Sequence, residues 1–162
     1  MAMQLTPIGT IETPFDQATG TPVQPCRAGP VAGRVEIFPE YAEGLADLEG
    51  FDRIWLLFWC DRAADAKLTV VPYRTTTSHG LFATRAPARP NPIGLSCVRL
   101  VRVQGRFLDI EEVDILNGTP LLDIKPYLPQ YDNYPVKRCG WVDGLPDVPV
   151  TADSRFERPG PK

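Results

Sequence analysis

Eighteen prolines are spread along 162 residues, roughly twice the usual share. Each one fixes its own φ, removes a backbone N–H and disturbs the residue before it, so a helix of ordinary length has little room to form. Short strands joined by many turns are what remains. The chain fits one domain and is long enough to bury a core.

Taken in order, Leu5 to Ile11 reads as a first strand, with Gly9 marking a bulge or a close approach. From Thr13 to Pro30, repeated Pro and Gly exclude a helix or a central strand and leave a long loop, whose most chemically varied portion is Gln24-Pro25-Cys26-Arg27. Ala32 to Phe38 is a second strand, stopped by Pro39. Tyr41, Leu45 and Leu48 lie near helical spacing and predict a short helix that Gly50 ends. The aromatic-rich apolar run Ile54 to Cys60 predicts a strand covered on both faces. Asp61-Arg62 follows at its end, either meeting a ligand there or forming its own ion pair. Lys67 to Val71 is a further strand. Gly94 to Val103 and Phe107 to Ile115 form a hairpin through Gln104-Gly105-Arg106. In the second of these, apolar positions move from Leu108 and Ile110 to Val113 and Ile115, a slip of the kind a β-bulge makes around Glu111-Glu112. Asn117-Gly118 is the strongest hairpin signal and leads into Thr119 to Ile124. The remainder, with Tyr127, Tyr131, Tyr134 and Trp141, is irregular and aromatic. The expected class is all-β, an antiparallel barrel or sandwich of about seven short strands with long loops and at most one or two short helices.

A formal net charge of -3 argues against nucleic-acid binding through a general positive field and leaves room only for a local basic patch. Cys26, Cys60, Cys97 and Cys139 stand far apart, and there is a single histidine. Neither a zinc site nor a disulfide framework is indicated, and reduced thiols in a cytoplasmic protein are expected. The N-terminus has no basic segment followed by an apolar core, so no signal peptide is expected, and the longest apolar run is too short to cross a bilayer. Glycine-rich nucleotide motifs and a P-loop are missing.

The stretch from His79 to Ser96 packs three prolines, two arginines and an asparagine between apolar segments. Its prolines bias Ala86, Arg89 and Asn91 towards extended geometry, which sets Arg85 and Arg89 on a stiff support. Two such guanidinium forks suit a carboxylate, a phosphate or a carbonyl. The alternative is an arginine paired with a surface acid in a turn shaped by prolines.

His79-Gly80-Leu81-Phe82-Ala83-Thr84-Arg85 through Arg89-Pro90-Asn91-Pro92-Ile93-Gly94, followed by Asn117-Gly118-Thr119-Pro120-Leu121-Leu122-Asp123-Ile124-Lys125-Pro126-Tyr127-Leu128-Pro129, resembles the TsaA family, also called TrmO. Pro7-Ile8-Gly9-Thr10-Ile11 and the segment Leu48 to Phe58 are similar to it as well. The resemblance implies a single-sheet β-barrel domain over residues 1–140, an irregular tail over residues 141–162, and a homodimer. It also implies that S-adenosyl-L-methionine is bound without a Rossmann domain, and that its methyl group passes to the exocyclic nitrogen of threonylcarbamoyl-adenosine beside a tRNA anticodon.

Carried over by position, the cofactor contacts are Gln24, Pro25, Cys26, Asp61, Arg62, Arg85, Leu95, Asn117, Gly118 and Thr119. Arg85 is matched with the cofactor's carboxylate, Asp61 with its ammonium and the Asn117-Gly118 backbone with the adenine edge. Asp123 is the candidate base and Lys125 a second catalytic candidate, while Arg89 and Lys125 are the candidate substrate contacts. Asp123 as a hydrogen-bond anchor of its hairpin is the alternative. The expected partners are tRNA and a second copy of the chain, with neither metal nor membrane. Two other functions stay open: S-adenosylmethionine-dependent transfer to a small molecule or another acceptor, and a non-catalytic module that only binds the cofactor. A basic stripe including Arg89, Arg99, Arg102 and Lys125 would favour tRNA, and an enclosed pocket would favour a small acceptor.

Overall fold

Alternation of side chains along the strands sorts this chain into an inside and an outside. The computed structural model describes residues 3–159. Its strands are β1 (Gly9–Glu12), β2 (Ala32–Ile37), β3 (Arg53–Trp59), β4 (Thr69–Val70), β5 (His79–Gly80), β6 (Ile93–Gln104), β7 (Phe107–Glu111) and β8 (Thr119–Pro126). Six of them close into an antiparallel barrel in the order β1-β2-β7-β6-β3-β8, and β4 and β5 form a separate two-stranded ribbon. Closure pairs every barrel strand on two sides and removes the exposed edges of an open sheet. Ile11, Val35, Ile54, Leu56, Val98, Leu108, Ile110 and Leu121 fill the interior. Close contacts require glycine at Gly9 and at Gly94. A Cβ at Gly9 would lie 2.2 Å from the Glu36 carbonyl oxygen, and one at Gly94 would lie 2.1 Å from the Phe58 ring.

The all-β, single-sheet antiparallel barrel is present. Several local expectations need correction. Tyr41 to Leu48 is not an α-helix. Pro39–Leu45 and Leu48–Gly50 are 3-10 turns, and Asp47 between them has φ 66°, which no α-helix accommodates. The α-helix among the described residues is the single turn α1 (Pro129–Asp132). The first strand begins at Gly9, not Leu5, and the strand expected over Lys67 to Val71 shrinks to two residues outside the barrel. The aromatic strand β3 is fully covered on one face only. Ile54, Leu56 and Phe58 are buried, whereas Arg53, Trp55, Leu57 and Trp59 are half-buried.

The phase slip after Ile110 is real, and its cause differs from the expected one. β7 ends at Glu111, Glu112 takes φ 64°, and Val113 and Ile115 then return to the core. The bulge within the ladder is on β6, where Leu100 pairs with Ile110 and Arg102 with Asp109, leaving Val101 over. Asn117-Gly118 does form a turn, with Gly118 at φ 78° and the Thr119 N–H donating to the Leu116 carbonyl at 3.3 Å. It closes no hairpin. β7 pairs with β2 and β6, and β8 pairs with β1 and β3.

A second cluster lies beside the barrel, where Phe156 near the C-terminus packs with Val70, Leu81, Ala86 and Ala88. Tyr73 meets Phe156 edge-on at 5.2 Å. The tail thus wedges under the proline-rich arginine loop and laces to other loops through Ala64 N–H to Phe156 O at 2.7 Å and Arg158 N–H to Arg62 O at 3.0 Å. No helix is long and apolar enough to cross a membrane among the described residues.

Candidate functional site

Four sequence-distant segments meet at one rim of the barrel: the long loop after β1, the exit of β3, the arginine loop and the run from Asp114 to Thr119. The long loop is pinned first. The Asn117 N–H donates to Phe15 O at 2.7 Å, its Oδ1 accepts from the Thr13 N–H at 3.2 Å, and its Nδ2 donates to Asp16 Oδ1 at 3.0 Å. Gly118 N–H reaches Ile11 O at 2.8 Å. Arg62 ties the same two segments, donating to Asn117 O at 2.8 Å and to Asp16 O at 3.0 Å. These bonds explain why a strong turn dipeptide makes no hairpin: its amides are engaged by β1 and by the loop that follows it. Thr119 is buried, and its hydroxyl donates to Leu116 O at 2.7 Å.

Arg85 leaves the arginine loop to donate from Nη1 to Gln24 Oε1 at 2.8 Å. Gln24 opens the 3-10 turn Pro25–Arg27, in which Pro25 is buried and Cys26 exposed. Neither Arg85 nor Arg62 has an acidic partner among the described residues, and the exposed Asp61 has no basic one there. Behind them stands a carboxyl that sequence reasoning missed. Asp114 accepts a 2.6 Å hydrogen bond from the hydroxyl of Ser96, which is 2 % exposed. Burial pushes the Asp114 carboxyl up to about 7, against the opposing pull of the Ser96 hydroxyl, a backbone hydrogen bond and the positive charge of Arg85. Cys60 is pushed up to about 12 by burial first and by the Asp61 and Asp114 carboxylates next, with Arg89 opposing. It therefore stays a thiol and is no nucleophile at neutral pH. A polar residue flanked by core residues, as in Val113-Asp114-Ile115, was the available signal for Asp114.

A family model described as the tRNA-methyltransferase O N-terminal domain matches residues 10–133. The chain belongs to this family. A protein of Pyrococcus abyssi named as a probable S-adenosyl-L-methionine-binding protein is 52% identical over 137 residues, covering 85% of this chain and 74% of its own length. The tRNA (adenine(37)-N6)-methyltransferase of Homo sapiens is 37% identical over 78% of this chain, which spans 30% of that longer protein. The crystal structure of TrmO from Pseudomonas aeruginosa superposes with a TM-score of 0.74 at 37% identity, covering 88% of this chain and 64% of that one.

Within this tRNA-methyltransferase O fold, the remaining candidates fall away from the rim bonds. Arg89 turns inward on its own loop. Its Nη1 donates to the carbonyls of Thr84 at 3.0 Å, Ala86 at 3.3 Å and Leu81 at 3.4 Å, and its guanidinium lies 5.7 Å over Phe82. Leu95 is exposed and pairs with Leu57, which on its other side pairs with Asp123. Asp123 is already engaged, accepting from the Ile124 N–H at 2.9 Å and pairing with Lys125 Nζ at 2.9 Å. It borders a mostly apolar cleft of about 420 Å³ that Ile8, Leu45, Leu48 and Phe51 also line. Gln24, Arg85 and Asp114 are not part of that cleft. The structure thus joins Gln24 to Arg85 and Arg62 to Asn117, and it holds Asp123 with Lys125 in a pair of their own. Of the four cations whose stripe would favour tRNA, Arg89 bonds its own loop, and the others are paired, Arg99 with Glu111, Arg102 with Asp109 and Lys125 with Asp123.

Proposed function

We propose that this chain is an S-adenosylmethionine-dependent methyltransferase, acting on N6 of threonylcarbamoyl-adenosine beside the anticodon of tRNA as a cytoplasmic homodimer. The observation that carries this is the rim, where Arg85 is held by the neutral Gln24 and so keeps its full charge for a ligand. The donor set suits S-adenosylmethionine. Arg85 offers a charge-assisted bond to a carboxylate, and Asp61 offers an acceptor to an ammonium. Pro25, Cys26, Leu95 and the turn Asn117-Gly118-Thr119 complete the proposed contacts, with Arg62 fixing that turn. Bound S-adenosylmethionine would supply an electrophilic methyl group, and positioning the acceptor nitrogen in line with it is a large part of such catalysis.

The acceptor nitrogen must also lose a proton. Two carboxyls can take it. Asp123 is occupied by its own strand and by Lys125. Asp114 stands near Arg85 with its carboxyl raised to about 7, close to the operating pH of a general base. We assign proton acceptance to Asp114 and leave Asp123 and Lys125 a scaffold role in β8.

The paired wall arginines favour one second reading, a cofactor-binding module without tRNA as acceptor. Transfer of labelled methyl from S-adenosylmethionine to tRNA carrying threonylcarbamoyl-adenosine, with digestion to nucleosides, separates the two. Label in that nucleoside supports the proposal, and saturable cofactor binding without label supports the module.

A further inference from the structure

From Tyr131 to Gly140 ten consecutive residues are exposed, a length of open chain that holds Tyr131 at 65% and Tyr134 at 71% exposure. Tyrosine rings ordinarily bury most of their apolar surface, so two open rings so close together need an occupant. This is no loose end. At its start, Asp132 Oδ2 accepts from Trp55 Nε1 at 3.1 Å and from the Leu128 N–H at 2.9 Å, anchoring α1 to strand β3. At its far end, Trp141 Nε1 donates to Ala83 O at 2.7 Å and the indole stacks on His79 at 4.4 Å. Pro135 stiffens the middle. The span therefore bridges the barrel wall to the loop that carries Arg85.

Its charge sets it apart from the wall. Lys137 and Arg138 are adjacent, exposed and without an ion pair among the described residues, whereas Arg34, Arg53, Arg99, Arg102 and Arg106 all have carboxylate partners. Open aromatic rings beside unneutralised cations are the combination that single-stranded RNA takes up, through stacking on unpaired bases and contacts to phosphates. A duplex offers no free base faces, and two cations are too few to hold one.

We infer that the span Tyr131–Gly140 grips the single-stranded anticodon loop of the RNA acceptor, with Tyr131 and Tyr134 stacking on bases and Lys137 and Arg138 meeting phosphates. This rests on the tRNA reading above and adds to it the surface by which the acceptor is held next to Arg85. The other occupant, a second copy of this chain, is an outcome of the test.

The test is fluorescence anisotropy of the full chain with a labelled anticodon stem-loop RNA over a series of salt concentrations. Two double variants are used, Tyr131→Ala with Tyr134→Ala and Lys137→Ala with Arg138→Ala. Both keep the wild-type melting transition and S-adenosylmethionine affinity, because none of the four residues belongs to the rim. Loss of the cations weakens RNA binding and lowers the log-log salt slope by about 1.4, for two phosphates on a single strand. Loss of the rings weakens binding about tenfold or more with the slope unchanged, and Tyr134→Phe retains affinity. Unchanged RNA affinity in both double variants, with methyl transfer intact, overturns the inference alone. A fall in assembled mass on sedimentation with RNA affinity unchanged also overturns it and assigns the surface to a second copy. A wild-type chain that neither binds the stem-loop nor methylates tRNA removes the parent reading and this surface with it.

Discussion

Two aspartates on neighbouring parts of this barrel have opposite fates. Asp109 sits on the outer wall between Arg102 and Arg34, accepting from Arg102 Nη2 at 2.6 Å and from Arg34 Nη2 at 2.9 Å. Those hydrogen bonds hold its carboxyl below the usual range. Asp114, five residues later, has a serine hydroxyl as its side-chain partner, and burial lifts its carboxyl to about 7. The wall sets its carboxylates against arginines, which contributes modest stability at most. The rim leaves the Asp114 carboxyl, the Arg62 and Arg85 guanidiniums and the exposed Asp61 without an ion pair among the described residues. An arrangement that costs stability on its own is what a ligand site needs.

The contrast is testable at single residues. The largest expected effect is on turnover: Asp114→Asn lowers methyl transfer by about 10²-fold or more, the scale of a lost general base, with cofactor affinity retained. Asp123→Asn keeps most of the transfer rate, and a loss as large as that of Asp114→Asn would return proton acceptance to Asp123. Next in size, Arg85→Ala weakens S-adenosylmethionine binding by at least about 1.5 kcal/mol, the scale of a lost charged hydrogen bond, as read by calorimetry.

The two aspartates also give pH effects of opposite sign. Asp114 has a folded pKa above its unfolded one, so the stability it contributes is present in acid and declines as pH rises from the ordinary carboxylate range to about 7. Denaturant titrations across that window show the decline in the wild type and lose it in Asp114→Asn. Transfer rate rises through the same pH as the carboxyl ionises. Asp109 has a folded pKa below its unfolded one, so its contribution is present at neutral pH and is lost as pH falls through and below the ordinary carboxylate range. The smallest effect belongs to the wall: Arg102→Ala costs less than about 1 kcal/mol of stability and leaves cofactor binding unchanged.

Much of the barrel was legible because strand periodicity is local. The change of phase after Ile110 is a property of neighbouring residues, whereas the unbroken apolar run Ile54 to Cys60 carries no alternation and concealed that only Ile54, Leu56 and Phe58 of β3 face the core. Pairing was not legible. Asn117-Gly118 carries a genuine turn signal, but its amides bond to Phe15 and Ile11, about a hundred residues earlier, and no local pattern reports that competition. Tyr41 to Leu48 shows helical spacing, yet Asp47 in the left-handed region breaks it into 3-10 turns. At the rim, the arginine loop stood out from its composition, whereas the bond from Arg85 to Gln24 joins residues 61 apart. Arg89 looked equivalent to Arg85 in sequence, and only the folded loop shows that its guanidinium is turned onto its own carbonyls.

Calorimetric titration with S-adenosylmethionine of three proteins side by side, the wild type, Arg85→Ala and Arg102→Ala, bears on the whole contrast between rim and wall. Saturable binding to the wild type and to Arg102→Ala, with affinity lost about tenfold or more in Arg85→Ala, is the predicted result. Equal affinity in all three, or no binding to the wild type, would contradict the placement of the cofactor at this rim.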